Sequence, residues 1–342
     1  MTFPARLPAA RVENSMDAPP LCWGIMGPGW IASRFAESVR KYSRQQLVAV
    51  GSRSVSRSKE FARRYGIPDA YGSYEELAAA PGVDIIYIAT THNQHCECAV
   101  LALNAGKHVL VEKPLAVNAL EAARVARVAL EQDLFAAEAL WTVFLPKFDV
   151  VRQILEQNML GEIRSAVADY GEHFEPGHRI FDPALAGGPL LDLGTYPLSF
   201  LLSVLGQADR IMAVGSKHPS GVDGQISALM TSDAGVHGSM STNLYNFTPT
   251  TATVVGTRGV LTIERLFNMP GPLHVRFSDN TVLRYEEAHG RHVEGLHYEA
   301  ADVARCIVRG ETETRKRPLE ASIQTLEAAD RIRQQLAHGP PL

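Results

Sequence analysis

The sequence predicts an α/β chain: a Rossmann-type doubly wound parallel sheet, then an α+β domain with an open, mainly antiparallel sheet. Three observations predict it. Short apolar runs alternate with helical stretches from Leu21 to Leu140, which implies parallel pairing through helical crossovers. The turn Gly27-Pro28-Gly29-Trp30-Ile31-Ala32 follows the first apolar run directly and opens a helix. After about Trp141 the pattern changes to strands of alternating polarity separated by Gly-containing turns such as Asp233-Ala234-Gly235.

In order, Leu21 to Met26 reads as the first strand, Ile31 to Tyr42 as a helix, Leu47 to Gly51 as the second strand and Ser56 to Tyr65 as a helix. Tyr74 to Ala80 is helical, Asp84 to Ala89 a buried strand, His95 to Ala105 helical and His108 to Val111 a further strand. Asn118 is placed to cap the helix that runs to Gln132, with Glu121 in capping-box position, and Phe135 to Leu140 closes the sheet. In the second half a helix from Phe148 to Gln157 precedes strands at Ile163 to Tyr170, Ile211 to Gly215, Ile226 to Met230, Val236 to Thr242, Thr251 to Val255 and Val260 to Ile263. Helices are expected from His297 to Arg309 and from Leu319 to Leu336, where Leu326, Ala329, Ile332 and Leu336 share a stripe. The expected organisation is a loose tail over 1–19, a dinucleotide-binding domain over 20–142, a substrate and oligomerisation domain over 143–318, and a C-terminal helix over 319–342 packed back on the first domain.

Composition narrows the partners. At 342 residues the chain exceeds one ordinary core, and a net charge of -4 with 20% charged residues creates no field suited to nucleic acid or an acidic membrane. No stretch approaches the roughly 20 apolar residues that span a bilayer, and the N-terminus does not resemble a secretory signal. Four scattered cysteines, Cys22, Cys96, Cys98 and Cys306, are read as reduced, which predicts a soluble cytoplasmic protein that binds small molecules.

The glycine loop is the expected cofactor cradle. Gly27 permits the tight turn, Gly29 lets the backbone approach a pyrophosphate, and backbone N–H groups at the helix start, where Trp30 and Ile31 stand, present the positive end. At the end of the second strand, where an acid would hold the ribose of NAD, the chain has Gly51-Ser52-Arg53-Ser54. Arg53 offers a planar fork to a 2′-phosphate, with Ser52 and Arg57 as further donors, so NADP is expected over NAD; the competing reading is a solvated arginine in a turn. At the exit of the third strand, Thr90, Thr91, Asn93 and His95 are candidates for the nicotinamide ribose, although Thr91 or Asn93 can equally cap the next helix.

Two runs carry the chemistry: Glu112-Lys113-Pro114 after an apolar strand, and Gly187-Gly188-Pro189-Leu190-Leu191-Asp192-Leu193-Gly194-Thr195-Tyr196 at the start of a helix. Pro114 biases Lys113 toward an extended backbone at the sheet's ligand end. A lysine and a tyrosine supplied by different domains suit proton removal from a hydroxyl. A free tyrosine, with a pKa of about 10, is a poor base at neutral pH; lowering it by about 3 units requires roughly 4 kcal/mol, close to what one cation at about 4 Å supplies at an effective dielectric of 20. Lys113 is therefore the expected aid and Tyr196 the acid/base, with Asp192, one helical turn earlier, orienting Lys113 or accepting a substrate hydroxyl. The plainer alternative makes Tyr196 a core residue and Asp192 a helix-start carboxylate.

These motifs, from about Leu21 to Gly206, resemble the glucose-fructose oxidoreductase, inositol dehydrogenase and MocA family. Glu138-Ala139-Leu140-Trp141-Thr142 and Arg179-Ile180-Phe181-Asp182 resemble the branch with dimeric dihydrodiol dehydrogenases and NADP-dependent xylose dehydrogenases. The resemblance implies catalytic roles for Lys113 and Tyr196, cofactor contacts that include Glu112 and Lys113, a polyol, pyranose or diol substrate, and a homodimer or homotetramer through the second sheet. Pro189 stands where a third glycine is usual, and Val143 where this branch often carries arginine. Trp141 and Arg179 are candidates for stacking on a sugar and for reaching its hydroxyls, beside the plainer roles of packing and surface charge.

The alternative from another class is a cofactor-sensing regulator without turnover, against which the presence of both Lys113 and Tyr196 argues. A zinc hydrolase built on His289, His292 and His297 is disfavoured, because their spacing lacks the helical His-x-x-x-His pair and Gly290 and Gly295 suggest a loop. No metal is expected.

Overall fold

A computed structural model describes residues 3–338, which divide into two compact units. The first comprises 13–144 and 291–323; the second comprises 3–12, 145–290 and 324–338.

In the first unit the elements follow strand and helix in turn: β1 (Cys22–Met26), α1 (Trp30–Tyr42), β2 (Gln46–Gly51), α2 (Val55–Tyr65), β3 (Asp69–Tyr71), α3 (Tyr74–Ala78), β4 (Ile85–Ile88), α4 (His95–Asn104), β5 (His108–Glu112), α5 (Ala119–Glu131) and β6 (Ala136–Ala139). The order β3-β2-β1-β4-β5-β6, with every pair parallel, is the doubly wound plan, and its switch point lies between β1 and β4. All four residues of β4 are buried, as a strand covered on both faces requires. Asn118 caps α5 by accepting the Glu121 N–H at 2.8 Å, as its place before the helix predicts.

The second unit begins with α6 (Pro146–Glu156), β7 (Ile163–Gly171), α7 (Pro189–Asp192) and α8 (Thr195–Leu205). Seven strands follow: β8 (Arg210–Lys217), β9 (Asp223–Thr231), β10 (His237–Asn243), β11 (Ala252–Gly256), β12 (Gly259–Ile263), β13 (Leu273–Phe277) and β14 (Val282–Tyr285). With β7 they form one eight-stranded open sheet in the order β14-β13-β12-β11-β7-β10-β9-β8. Every pairing is antiparallel except β7 with β10, so the sheet is mainly antiparallel but not a simple meander. Buried and exposed residues alternate along β9, the period-two signature of a sheet covered on one face.

The chain ends in α9 (Leu296–Val308) and α10 (Leu319–His338). Three boundaries differ from the sequence reading. Residues 291–318 cluster with the nucleotide-type unit rather than with the sheet, because α9 buries Leu296, Ala300, Val303 and Ala304 there. Residues 324–338 cluster with the sheet unit, where Arg331 donates to the carbonyls of Ala208 and Asp209 and Gln335 accepts the Ala213 N–H at 2.8 Å. Residues 3–19 are no loose tail: Arg11 binds Asp149 at 3.0 Å in the second unit, and in the first the Ser15 hydroxyl meets His297 Nδ1 at 2.8 Å. Polar groups scattered through a proline-rich stretch hide such bonds from a reading by periodicity. Residues 339–342, part of the expected C-terminal helix, lie outside the described residues.

Candidate active site

The glycine loop has the geometry its sequence requires. Gly27 has φ +93°, and a Cβ there would lie 2.8 Å from the Ala89 carbonyl oxygen, so any side chain would push β1 from β4 at the switch point. Gly29 stands before α1 without a side-chain cap, which leaves the first N–H groups of that helix for a ligand. Arg53 and Arg57 both act on the Tyr74 hydroxyl, which places two cations together beyond β2, and Arg57 Nη2 also approaches the Pro28 carbonyl at 3.5 Å. Ser52 is buried and its hydroxyl accepts the Ser54 N–H at 3.3 Å. A glycine cradle followed by two guanidinium groups fits a dinucleotide that ends in a 2′-phosphate.

Beyond β4, Thr91 Oγ1 donates to Asn93 Oδ1 at 2.7 Å, and neither residue makes a side-chain cap on α4. His95 is fully buried with Nδ1 2.7 Å from the Pro114 carbonyl and Nε2 3.3 Å from that of Thr90. Its ring braces the exit of β4 against the segment after β5. Glu112 ends β5 and is buried; it accepts the Tyr87 hydroxyl and, at 3.1 Å, the backbone N–H of Lys113. The Lys113–Pro114 peptide is cis.

Glu138 stands one strand away on β6. It accepts Arg317 Nε at 2.8 Å, the Ser322 hydroxyl at 2.7 Å and the Leu115 N–H at 3.1 Å, with both charged side chains almost wholly buried. This buried pair anchors the residues that follow Lys113.

The main surprise is His292. Its ring packs edge-on against Trp30 at 4.9 Å and stacks on Trp141 at 5.0 Å, while Ser38 donates to the Val293 carbonyl at 2.6 Å and pins that turn to α1. Burial, then the charges of Lys113 and Arg34, push the His292 pKa down to about 4, so the stack holds a neutral imidazole. Trp141, read from sequence as a sugar platform, is 1% exposed and one face of its indole carries this imidazole. Residues 30, 141 and 292 are too far apart in sequence for any local pattern to reveal the stack; the one signal is a His followed at 294 by the Glu of a capping box. Two aromatic contacts of about 0.5–1.5 kcal/mol each lead to a prediction. His292→Ala is expected to raise the KM for the dinucleotide about tenfold, whereas His292→Phe stays near the parent; equal KM values in both variants would show that the stack does not hold the loop.

In the second unit, Gly187 and Gly188 shape the turn into α7. A Cβ on Gly187 would lie 2.4 Å from the Ile180 carbonyl oxygen, and Gly188 has φ +105°. Pro189, the departure from the family pattern, occupies the first helical turn, where its missing N–H costs nothing. Asp192 and Tyr196 do not share one helix: α7 stops at Asp192 and the axis turns by 48° between 183–192 and α8. Asp192 is nearly buried and pairs with Arg179 at 2.9 Å, while the other guanidinium nitrogen, Nη1, is buried without a hydrogen-bond partner. Tyr196 is the second residue of α8 and is 7% exposed, with the Tyr170 ring 5.8 Å away. Nearby His178 is pushed down in pKa by burial and by Arg179.

The three histidines weighed for zinc are engaged separately. His289 lies against Gly271, His292 between the two tryptophans, and His297 between Ser15 and Tyr42. Among the described residues no group of three or more His, Cys, Asp or Glu is placed to hold a metal ion, and no single helix is long and apolar enough to cross a membrane.

Comparison with known proteins agrees with this geometry. Residues 21–138 match the GFO/IDH/MocA oxidoreductase family, NAD-binding Rossmann fold, and residues 148–262 match its C-terminal domain. The trans-1,2-dihydrobenzene-1,2-diol dehydrogenase of Bos taurus is 38% identical over 322 residues, covering 92% of this chain and 96% of that protein. A 3-ketoreductase from Actinomadura kijaniata, KijD10, solved with NADP and TDP-benzene, is 26% identical with a TM-score of 0.81, covering 92% of this chain and 98% of that one. Levoglucosan dehydrogenase, at 20% identity and a TM-score of 0.84 over 94% of this chain and 98% of that one, shares the fold.

Proposed function

Because the chain belongs to the GFO/IDH/MocA oxidoreductase family, and is thus an NAD(P)-dependent enzyme acting on CH–OH groups, we propose that it moves a hydride between NADP and a secondary alcohol of a sugar, polyol or cyclic diol. Tyr196 is the acid/base and the positive charge of Lys113 assists it. The observation that carries this reading is the Arg179–Asp192 pair just before Tyr196: a nearly buried carboxylate able to accept from a hydroxyl, beside a guanidinium nitrogen that still lacks an acceptor. Such a donor and acceptor suit neighbouring hydroxyls on one ring. The relatives named for a dihydrodiol and for a 3-keto substrate both fit that class.

Bound NADP supplies the two-electron acceptor. In the oxidative direction the substrate hydroxyl gives its proton to the Tyr196 oxygen as the hydride leaves the carbinol carbon and the carbonyl forms; reduction reverses both transfers. Asp192 and Arg179 hold the neighbouring hydroxyls, and Lys113 favours the phenolate. A panel of pentoses, hexoses, anhydro sugars and cyclic diols, followed at the NADPH absorbance band, tests the reading. Turnover on at least one class is expected, while NADP binding with no turnover on any would favour a cofactor sensor of the same fold.

Preference for NADP rests on Arg53 and Arg57. A charge-assisted contact to a phosphate contributes about 1.5–3 kcal/mol. Arg53→Asp is therefore expected to raise the KM for NADP about 10- to 100-fold while that for NAD changes little. A parent that prefers NAD would end the assignment.

The enzyme acts, on this reading, in the cytoplasm, in keeping with four free thiols. It assembles as a homodimer or homotetramer through the outer face of the second sheet, where Met212 and Val214 on β8 and Leu229 on the adjacent β9 are exposed, with Val167 exposed on β7 beyond β10. Sedimentation at micromolar concentration checks the assembly, and a monomer there would contradict it.

A further inference from the structure

Glu299, in the first turn of α9, is wholly buried, and neither carboxyl oxygen has a hydrogen-bond partner among the described residues. An ionised carboxylate in such a place is far more costly than a neutral one, so the group keeps its proton. A neutral carboxyl still carries an O–H that needs an acceptor. Among the described residues Glu112 acts on it electrostatically, and Glu112 is itself buried at the end of β5, next to Lys113.

We propose that Glu299 stays protonated beside the buried Glu112, and that the two carboxyls together are the support that positions Lys113. Glu112 accepts the Tyr87 hydroxyl on one oxygen and the Lys113 backbone N–H on the other, so a change in its charge is felt directly at the lysine. Glu299 acts through Glu112 and is a positioning residue.

The surroundings leave few other charges to interfere. Tyr87 faces Glu112 from β4, Lys113 from the segment just after β5 and Glu138 from β6, the last already paired with Arg317 at 2.8 Å. On the side of α9, Tyr42 from α1 packs on His297, His292 is held neutral, Glu294 is exposed, and Asp17 is an exposed partner of Arg44. Burial lifts Glu112 to about 7, against the opposing pull of Tyr87 and Lys113, and lifts Glu299 well above the ordinary carboxyl range.

The sign of the pH effect follows. Both carboxyls bind protons more tightly in the folded chain than in the unfolded one. Their contribution is complete below the ordinary glutamate pKa of 4.5 and is lost as pH rises through about 7 and beyond. The test is the thermal midpoint of the whole protein against pH, for the parent and for Glu299→Gln. The parent midpoint is expected to fall between about pH 5 and pH 8, while Glu299→Gln, a neutral isostere, loses much of that slope and exceeds the parent by roughly 5 °C at pH 8. An unchanged slope would overturn the proposal. So would failure of Glu299→Gln to fold at neutral pH, since the amide matches the acid in size and, like the protonated acid, carries no charge.

A second readout separates positioning from packing. The pH profile of kcat/KM is expected to shift in Glu299→Gln, and a profile superimposable on the parent's would remove the link to Lys113. This kinetic arm rests on the proposed function, whereas the midpoint arm stands on burial alone. Absence of turnover in the parent would therefore sink the former reading and leave the proton count intact.

Discussion

Tyr196→Phe is expected to lower kcat/KM by about 10²- to 10⁴-fold, the usual worth of a positioned acid/base, while NADP affinity stays within about twofold of the parent. The substitution removes one oxygen and keeps a ring that is 7% exposed in the first turn of α8. The fold has no reason to change. Steady-state kinetics on whichever sugar or diol the parent turns over measure the loss, and fluorescence titration with NADP measures the affinity. Kinetics like the parent's would return Tyr196 to the plainer role of a core residue.

The second large effect concerns stability. Arg317→Met removes the cation that faces Glu138 in a site where both side chains are almost wholly buried, leaving the carboxylate with only the Ser322 hydroxyl and the Leu115 N–H. Breaking such a pair from one side costs about 3–5 kcal/mol, because the remaining charge stays buried without compensation. Replacing both partners, Glu138→Leu with Arg317→Met, is expected to recover much of that loss. Denaturant unfolding followed by the tryptophans Trp23, Trp30 and Trp141, all in the same unit, reads the difference. A single variant less than about 1 kcal/mol below the parent would show that Glu138 takes up a proton or that water reaches it. The Leu115 bond ties this pair to the segment after Lys113, so lost stability and lost turnover are expected together in Arg317→Met.

The parallel sheet was legible because each of its strands, except β3, is an apolar run flanked by helical spacing. β3 escaped notice at three residues, Asp69 to Tyr71, on the sheet edge where nothing forces burial. In the second sheet β13 and β14 were missed because Leu273-His-Val-Arg-Phe277 and Val282-Leu-Arg-Tyr285 are short and carry long polar residues on the wet face. The parallel pairing of β7 with β10 had no local signature, since the two strands join through α7, α8 and two intervening strands.

The site divides in the same way. Gly27, Arg53, Lys113, Asp192 and Tyr196 can be named as candidates from the sequence because each stands in a motif whose residue types the chemistry demands. His292 and Glu299 cannot, because what sets them apart is burial beside Trp141 and Glu112, residues far away in the chain. His95 was read as a ligand contact, yet its ring is taken up by two backbone carbonyls. A polar side chain near a strand exit looks the same in sequence whether it meets a ligand or the backbone.

The proposed mechanism asks Lys113 to give Tyr196 electrostatic help, and the pH dependence of kcat/KM for NADP-linked oxidation in the parent and in Lys113→Met tests that role most directly. If one cation supplies roughly 4 kcal/mol, the rising limb of the profile moves upward by about 2–3 pH units in Lys113→Met, toward the ordinary phenol value of about 10. A limb at the same pH in both proteins would contradict the account.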